Sequence, residues 1–288
     1  MGRPTTSSVS CVRRSLQLEL GEPFLLFAYN EQCMSDPTKD RSVKSTRTTF
    51  RIIEALEASD GARLTDLAAD LDLAKSTVHQ QLSALREIGY VVQEGTEYQL
   101  GLKFLDLGEY VRARKPAYKL AEPLVEELAD ETGERAQFFA EEHGRAVYVH
   151  TKQGEHAVQA DRRVGKQRYL HSSAGGKAIL AHLPEERIEA VIEQWGLPQE
   201  TDNTHATRES LFEDLAEIRN RGYSLNKAES ISGLWSVGVP VMGPDGLPVG
   251  AFSISGPRHR MKADRIHDSM VDLLLGTANE LELNIAYS

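Results

Sequence analysis

From Val43 onward the apolar residues recur three and four apart, the spacing of a helix with one buried face. Phe50, Ile53 and Leu56, with Ile52 beside them, form one such stripe, ending near "ASDGA". Thr65 stands where it would cap a short second helix whose Leu67, Ala68 and Leu71 face inward, and Asp72-Leu73 make the turn. A third helix starts near Lys75, buries Val78, Leu82 and Leu85, and stops at Gly89. "YVVQEGTEYQL" then reads as two short strands around Glu94-Gly95-Thr96. Three helices, the second pair tightly joined, followed by a hairpin predict a winged helix-turn-helix over 43–103.

The stretch "GLKFLDLGEYVRARKP" predicts a connecting helix over 104–116, halted near Pro116, and beyond it the pattern is mixed. "YKLAEPLVEELADETG" reads as a helix with a glycine stop, and "RAQFFAEEHGRAVYVHTK" as two strands turning at His143-Gly144. A short run "AVQADR" comes next, and "LHSSAGGKAILAHLP" enters a helix at Gly175. "RESLFEDLAEIRNRGY" aligns Leu211, Leu215 and Ile218 on one helical face, "LWSVGVPVMGPDGLPVGAFSISGP" is two strands about a Pro-Asp-Gly turn, and "DRIHDSMVDLLLGTANELELNIA" is a closing helix. Residues 117–288 are thus expected to form an antiparallel α+β domain with helices packed on a sheet.

At 100° per residue, with Val78 at the centre of the buried stripe, Ser76, Gln80, Ser83 and Glu87 point away from it, flanked by Thr77 and His79. Hydroxyls and amides of this kind bond phosphates and base edges in a major groove. An ordinary solvated face carries more Glu and Lys, which are stronger helix formers. The expected DNA-binding residues are Arg47, Lys75, Ser76, Thr77, His79, Gln80, Gln81, Ser83 and Arg86, with Arg51 and Arg63 as further cations for phosphates.

Charge complicates that expectation, because the 288-residue chain has a formal net charge of −10. Between Val43 and Lys103 there are seven Lys or Arg against nine Asp or Glu, a net of −2. Counterion release would contribute little to such a domain, leaving affinity to a few placed cations and the positive N-terminal end of the third helix. The acids are scattered and 22 Arg stand against 11 Lys, a composition that fits either adaptation to high salt or a GC-rich genome. In molar salt, long-range attraction would be screened to a few ångströms in any case.

Both cysteines, Cys11 and Cys33, precede the periodic region, which excludes a disulfide framework or a cysteine zinc site from it and fits a reducing cytoplasm. Arg13-Arg14-Ser15-Leu16 resembles a twin-arginine signal, but Glu19, Glu22 and Pro23 break the apolar segment that such a signal needs after its arginines. Residues 1–42 are therefore read as a disordered extension, with Met34 an alternative start. No apolar run approaches the ~18 residues of a membrane helix. "AGGKA" lacks the upstream Gly and following Ser/Thr of a P-loop, and neither Gly-x-Ser-x-Gly nor a zincin histidine pair occurs. His171 is read as a pocket or packing histidine, and no catalytic, metal or cofactor site is expected. Two classes stay open: a ligand-responsive DNA-binding regulator, and a small-molecule-binding or catalytic protein whose helical N-terminal domain serves only dimerisation.

The ordered blocks "KSTVHQQLSALREIGYV", "LHSSAGGKAILAHLP", "IRNRGYSLN", "GLWSVGVPV" and "SISGP" resemble the IclR-type transcriptional regulators, named for isocitrate lyase control. The resemblance runs from about Val43 to the C-terminus. It implies a winged helix-turn-helix followed by a GAF-like effector-binding domain, with dimers pairing into tetramers on operator DNA. It also implies an effector pocket floored by Ala174 and Gly175, whose backbone N–H groups would hold a carboxylate, and lined by Ser253 and Ser255. Where the family has an acidic pair and a cysteine, this chain has Asn226-Lys227 and Trp235-Ser236. These substitutions imply a more cationic pocket, an anionic effector held by Lys227, a cavity shaped by Trp235 and a hydrogen bond from Ser236. For a salt-adapted prokaryote, a haloarchaeon, the family's habit suggests control of carbon-source catabolism through a sugar acid, short organic acid or aromatic acid.

Overall fold

In the computed structural model, which describes residues 43–158, 163–262 and 266–287, helix α1 (Lys44–Ala58) buries Thr48, Ile52 and Leu56 at spacings of four. The expected extension over 1–42, with its cysteines and arginine pair, lies outside the described residues, as does most of "AVQADR". Phe50 does not join the stripe and is 56% exposed, since two residues from Ile52 is a rotation of about 200°. After the short strand β1 (Ala62–Arg63) comes α2 (Leu64–Asp70), which begins one residue before Thr65. The Thr65 hydroxyl bonds Asp66 instead of capping the helix. Asp72, at φ 51°, turns the chain into α3 (Lys75–Glu87). Strands β2 (Val91–Glu94) and β3 (Glu97–Leu100) form the hairpin, and β1 joins its outer edge in the order β1-β3-β2. Ile52, Leu56, Leu67, Val78, Leu82, Leu85 and Val91 close one small core.

Helix α4 (Lys103–Ala113) leads away from the hairpin, and α5 (Pro116–Thr132) begins after two intervening residues. Pro116 starts this helix rather than halting the one before it. At N1 its missing N–H is no loss, and its fixed φ suits the first turn.

The second unit is a six-stranded antiparallel sheet in the order β6-β5-β4-β9-β8-β7. Its strands are β4 (Arg135–Glu142), β5 (Arg145–Gln153), β6 (Gln167–Tyr169), β7 (Ser224–Lys227), β8 (Leu234–Met242) and β9 (Pro248–Pro257). One face carries α5 and the closing helix α9 (Val271–Ala286), entered through a π-helical turn at Ile266–Met270. The other carries α6 (Ala174–Leu180), α7 (Glu185–Trp195) and α8 (Arg208–Arg221). Strand alternation serves both faces: Ala136, Phe138, Val237, Val239, Phe252 and Ile254 meet α5 and α9, while Phe139, Tyr148 and Ala251 meet α6 to α8.

His150 is sealed between β5 and α5, with Nε2 bonded to the Tyr118 carbonyl at 2.6 Å and Nδ1 3.9 Å from Glu122. Burial holds its pKa below the ordinary 6.5, against the opposing pull of that hydrogen bond and of Glu122. The unfolded chain therefore takes up the proton first. Stability should fall as pH drops through about 6.5 and level off below the lowered native pKa. Urea midpoints measured from pH 7.5 down to 5 should show this loss, reduced in His150→Gln. In the small N-terminal core, Leu82→Ala should cost ~2–5 kcal/mol by leaving a cavity. It should melt that unit without moving the transition of the sheet domain, as differential scanning calorimetry would resolve.

Candidate DNA-reading face and effector site

Helix α3 turns Val78, Leu82 and Leu85 into the core and leaves Ser76, His79, Gln80 and Arg86 exposed, with Thr77 and Ser83 half-buried. Its N-cap is Ala74, which has no side-chain oxygen to offer, so Lys75 and Ser76 open a helix end without a side-chain cap. Gln81 does not belong to this face: its amide oxygen accepts from the Thr49 hydroxyl and ties α3 to α1. Of the cations, Arg86 reaches Gln93 on the hairpin and Arg51 donates to the Leu71 carbonyl at 2.9 Å. Arg63 lies 3.9 Å from Glu97. Arg51 and Arg86 thus bond other parts of the unit. Lys75, at the start of α3, and Arg47, in the first turn of α1, are exposed.

In the sheet domain, the face toward α6 changes from apolar to polar along the strands. Register places Thr151, Gln137, Ser253, Gly238 and Ser224 in one row across β5, β4, β9, β8 and β7, and Arg135, Ser255, Ser236 and Asn226 in the next. Gln137, Ser224, Asn226, Ser236, Ser253 and Ser255 are all buried. The Gln137 amide donates to Ser255 Oγ at 2.8 Å, and the Asn226 amide donates to the Ser172 carbonyl. Four expected effector residues, Asn226, Ser236, Ser253 and Ser255, therefore meet on one face.

Lys227 and Trp235 do not. They pair with each other one residue along, and a one-residue step on a strand reverses the side chain. Trp235 packs against the α5–α9 core, and Lys227 is exposed beside a cavity lined by Trp235, Arg258 and Asn203. The expectation of a cationic pocket is corrected accordingly: adjacent residues of one strand cannot line the same side of a sheet.

Ala174 and Gly175 open α6, where the Ser173 hydroxyl caps the Gly176 N–H at 3.2 Å. They lie directly on β8. A Cβ at Gly238 would stand 2.8 Å from the Ala174 carbonyl carbon and 2.9 Å from the Gly175 nitrogen, and one at Gly175 would meet the Phe139 ring at 2.4 Å. The Ser224 hydroxyl secures the contact by donating to the Ala174 carbonyl at 2.6 Å. From the next turn Lys177, fully buried, reaches Asp214 of α8 at 2.7 Å and Glu229 of the β7–β8 loop at 2.6 Å. His171 is buried with Nε2 3.2 Å from the Pro198 carbonyl, and burial lowers its pKa.

Sequence reasoning missed Gln137, Thr151, Lys177, Asp214 and Glu229. The signal for Gln137 was present in "RAQFFAEE", where a lone amide sits between residues of a strand covered on both faces. Among the described residues no cluster of three His, Cys, Asp or Glu side chains is placed to hold a metal ion, and no helix is long and apolar enough to cross a membrane.

A winged-helix unit joined through a helix to a two-faced α+β domain with a buried polar floor defines a ligand-responsive DNA-binding protein. The model for the IclR helix-turn-helix domain matches residues 46–95, and that described as "Bacterial transcriptional regulator IclR C-terminal" matches residues 111–283. The chain is 32% identical over 249 residues to the "Probable HTH-type transcriptional regulator ArcR" of Halobacterium salinarum, covering 85% of this chain and 95% of that one. It is 30% identical over 240 residues to the regulator KdgR of Dickeya chrysanthemi, covering 83% and 79%. The crystal structure of the Thermotoga maritima IclR superposes with a TM-score of 0.72 at 26% identity, over 84% of this chain and 98% of that one. The chain belongs to the IclR family of transcriptional regulators.

The two lysines of the effector domain should behave oppositely. Lys177→Met leaves the buried Glu229 carboxylate without its cation and should cost ~3–5 kcal/mol in urea unfolding. Lys227→Met, on the exposed reverse face, should stay within ~0.5 kcal/mol of the parent.

Proposed function

We propose that this regulator reads operator DNA with Ser76, Thr77, His79 and Gln80 of α3, supported by Lys75, Arg47 and the N-terminal end of that helix on phosphates. A small polar metabolite bound on the floor formed by β4, β9, β8 and β7 would then set operator affinity. The observation that carries this reading is the exposed hydroxyl and amide face of α3, set back to back with the Val78–Leu82–Leu85 stripe. A regulator acting on the DNA of a prokaryote works in the cytoplasm. The metabolite belongs to carbon-source catabolism, in keeping with family habit. It acts only by binding the DNA-competent and DNA-incompetent arrangements unequally, with a coupling of ~1–3 kcal/mol.

The working form is a homodimer or a pair of dimers. Helix α4 leaves Leu105, Leu107, Tyr110 and Val111 exposed, and Leu105, Leu107 and Val111 line a groove of about 620 Å³ that Val147, Tyr148 and Val164 continue. An apolar flank of this kind on the connecting helix suits a second copy of the chain.

Gel shifts with the DNA upstream of its own gene test the reading directly. Gln80→Ala and Thr77→Ala should each relax base preference at defined positions, a good contact being worth ~1–3 kcal/mol. Unchanged footprints in both would place the reading surface elsewhere. Because Arg51, Arg63 and Arg86 are engaged within the fold and the unit is net acidic, the plot of log affinity against log salt should be shallower than about −6, the slope of a protein neutralising some seven phosphates. A steeper loss with added KCl would overturn the short-range picture.

A further inference from the structure

The polar floor contains two groups that the protein itself leaves unpartnered. Gln137 is fully buried; its amide nitrogen donates to Ser255, but its carbonyl oxygen Oε1 has no hydrogen-bond partner. Thr151 stands directly across the β4–β5 ladder from it, and its hydroxyl is also buried without a partner. A buried polar atom left unpaired costs ~1–3 kcal/mol, and native proteins carry few of them. Here two fall opposite each other on adjoining strands, in the same row as Ser253 and beside Ser255 and Ser236.

We infer that the effector is a hydroxyl-bearing compound, held at this row by hydrogen bonds from its hydroxyls to Gln137 and Thr151, with its charge a secondary feature. The inference rests on the reading of this face as the effector site. An amide carbonyl accepts only, so its partner must donate, which a carboxylate or ketone oxygen cannot do. Should the amide be turned over, its NH2 would need an acceptor, and a hydroxyl serves that role equally. The threonine hydroxyl accepts both arrangements. Cross-strand neighbours lie ~5 Å apart, so Thr151, Gln137, Ser253, Ser255 and Ser236 offer a run of partners that a single polar atom would leave mostly unused. The nearby cations have other work: Arg135 donates to the Val158 carbonyl at 2.8 Å, Lys177 is clasped by Asp214 and Glu229, and Lys227 is exposed on the edge strand, one residue out of the row. The groups built into this row thus select by shape and hydroxyl pattern.

Two pairs of acids matched in chain length test this at constant charge: gluconate against hexanoate and glycerate against propionate, titrated by calorimetry into the full chain and into Gln137→Leu and Thr151→Val. At least one hydroxylated acid should bind the parent, and its unsubstituted counterpart should bind at least about tenfold more weakly. Both variants should lose at least about tenfold in affinity for the hydroxylated acid while unfolding no earlier than the parent. Thr151→Val keeps the Gln137–Ser255 bond, so it tests the idea even if Gln137→Leu folds poorly. Binding of hexanoate or propionate as tight as that of its partner would overturn the inference. So would undiminished affinity in Thr151→Val, or a parent indifferent to both hydroxylated acids. Gel shifts of the parent and both variants without added compound report separately on DNA reading, so that function stands or falls independently.

Discussion

The arrangement of the effector domain follows from the fact that its central strands are covered on both sides. β4, β8 and β9 each send alternate residues to two different layers, so every residue in them is committed to one environment or the other. Toward α5 and α9 the commitment is wholly apolar, with Phe138, Val237, Val239, Phe252 and Ile254 filling the space. Toward α6 it is divided. Phe139, Tyr148 and Ala251 pack under the helices, and where the strands run on beyond them, side chains of Gln, Ser and Asn take over. Burying so many polar groups on a sheet is unfavourable unless they find partners. The Asn226 bond to Ser172 and the Ser224 bond to Ala174 meet part of that demand by drawing the α6 entry loop onto the sheet. Between them Ser255 accepts from the Gln137 amide, and Ser236 and Ser253 are buried beside it.

The contacts that hold the loop down also connect it to neighbouring elements. Lys177 is among the residues least often found fully buried, and it is tolerated only because Asp214 and Glu229 neutralise it from two different elements. Glu229 is itself placed by its N–H, which donates to the Asn226 side chain at 2.9 Å. A group that displaced Asn226 would therefore disturb the β7–β8 loop, the lysine and α8 together. At the other end of the molecule, α4 is fastened at both termini. Phe104 meets the Tyr90 ring edge-on at 4.9 Å, next to Lys103 over the same ring, and Arg112 lies 3.4 Å from Glu122 of α5. The exposed pair of Arg163 and Glu57 adds a direct contact between the domains, but an exposed pair of this type contributes only ~0–1 kcal/mol.

How much of this could be read from the sequence depended on whether a feature was periodic or spatial. The helices α1, α3, α5 and α8 and the β8–β9 hairpin announced themselves through stripes and turn residues, because burial on one face writes a period into the chain. Short edge strands wrote none: β6 has three residues and β7 four, too few for alternation to register. Phe50 was misjudged because a large apolar residue near a stripe looks like part of it, although the rotation from Ile52 sends it to solvent. Gln81 looked like a reading residue until Thr49, distant in sequence, claimed it. The proposed effector face shows the same limit. The blocks "IRNRGYSLN" and "GLWSVGVPV" pointed to Asn226-Lys227 and Trp235-Ser236 together, but which member of each pair faces α6 required the register, which only the paired strands supply.

Register also bears on how an acidic protein approaches DNA. Were the unit's arginines arrayed on one face, attraction would be long-ranged and largely indifferent to sequence. Instead Arg51 and Arg86 bond groups within the unit, Arg63 lies on a different element beside Glu97, and the turn of the hairpin presents Glu94 and Glu97. A phosphate near that turn would meet like charge, so under the proposed reading a docked complex would depend on contact-distance bonds from the α3 face and its N-terminal end. Contact-distance hydrogen bonds are the part of DNA recognition that salt weakens least. An acidic surface and the hydroxyl-rich face proposed to read DNA would thus be compatible, since the affinity given up at low salt is affinity that high salt would remove.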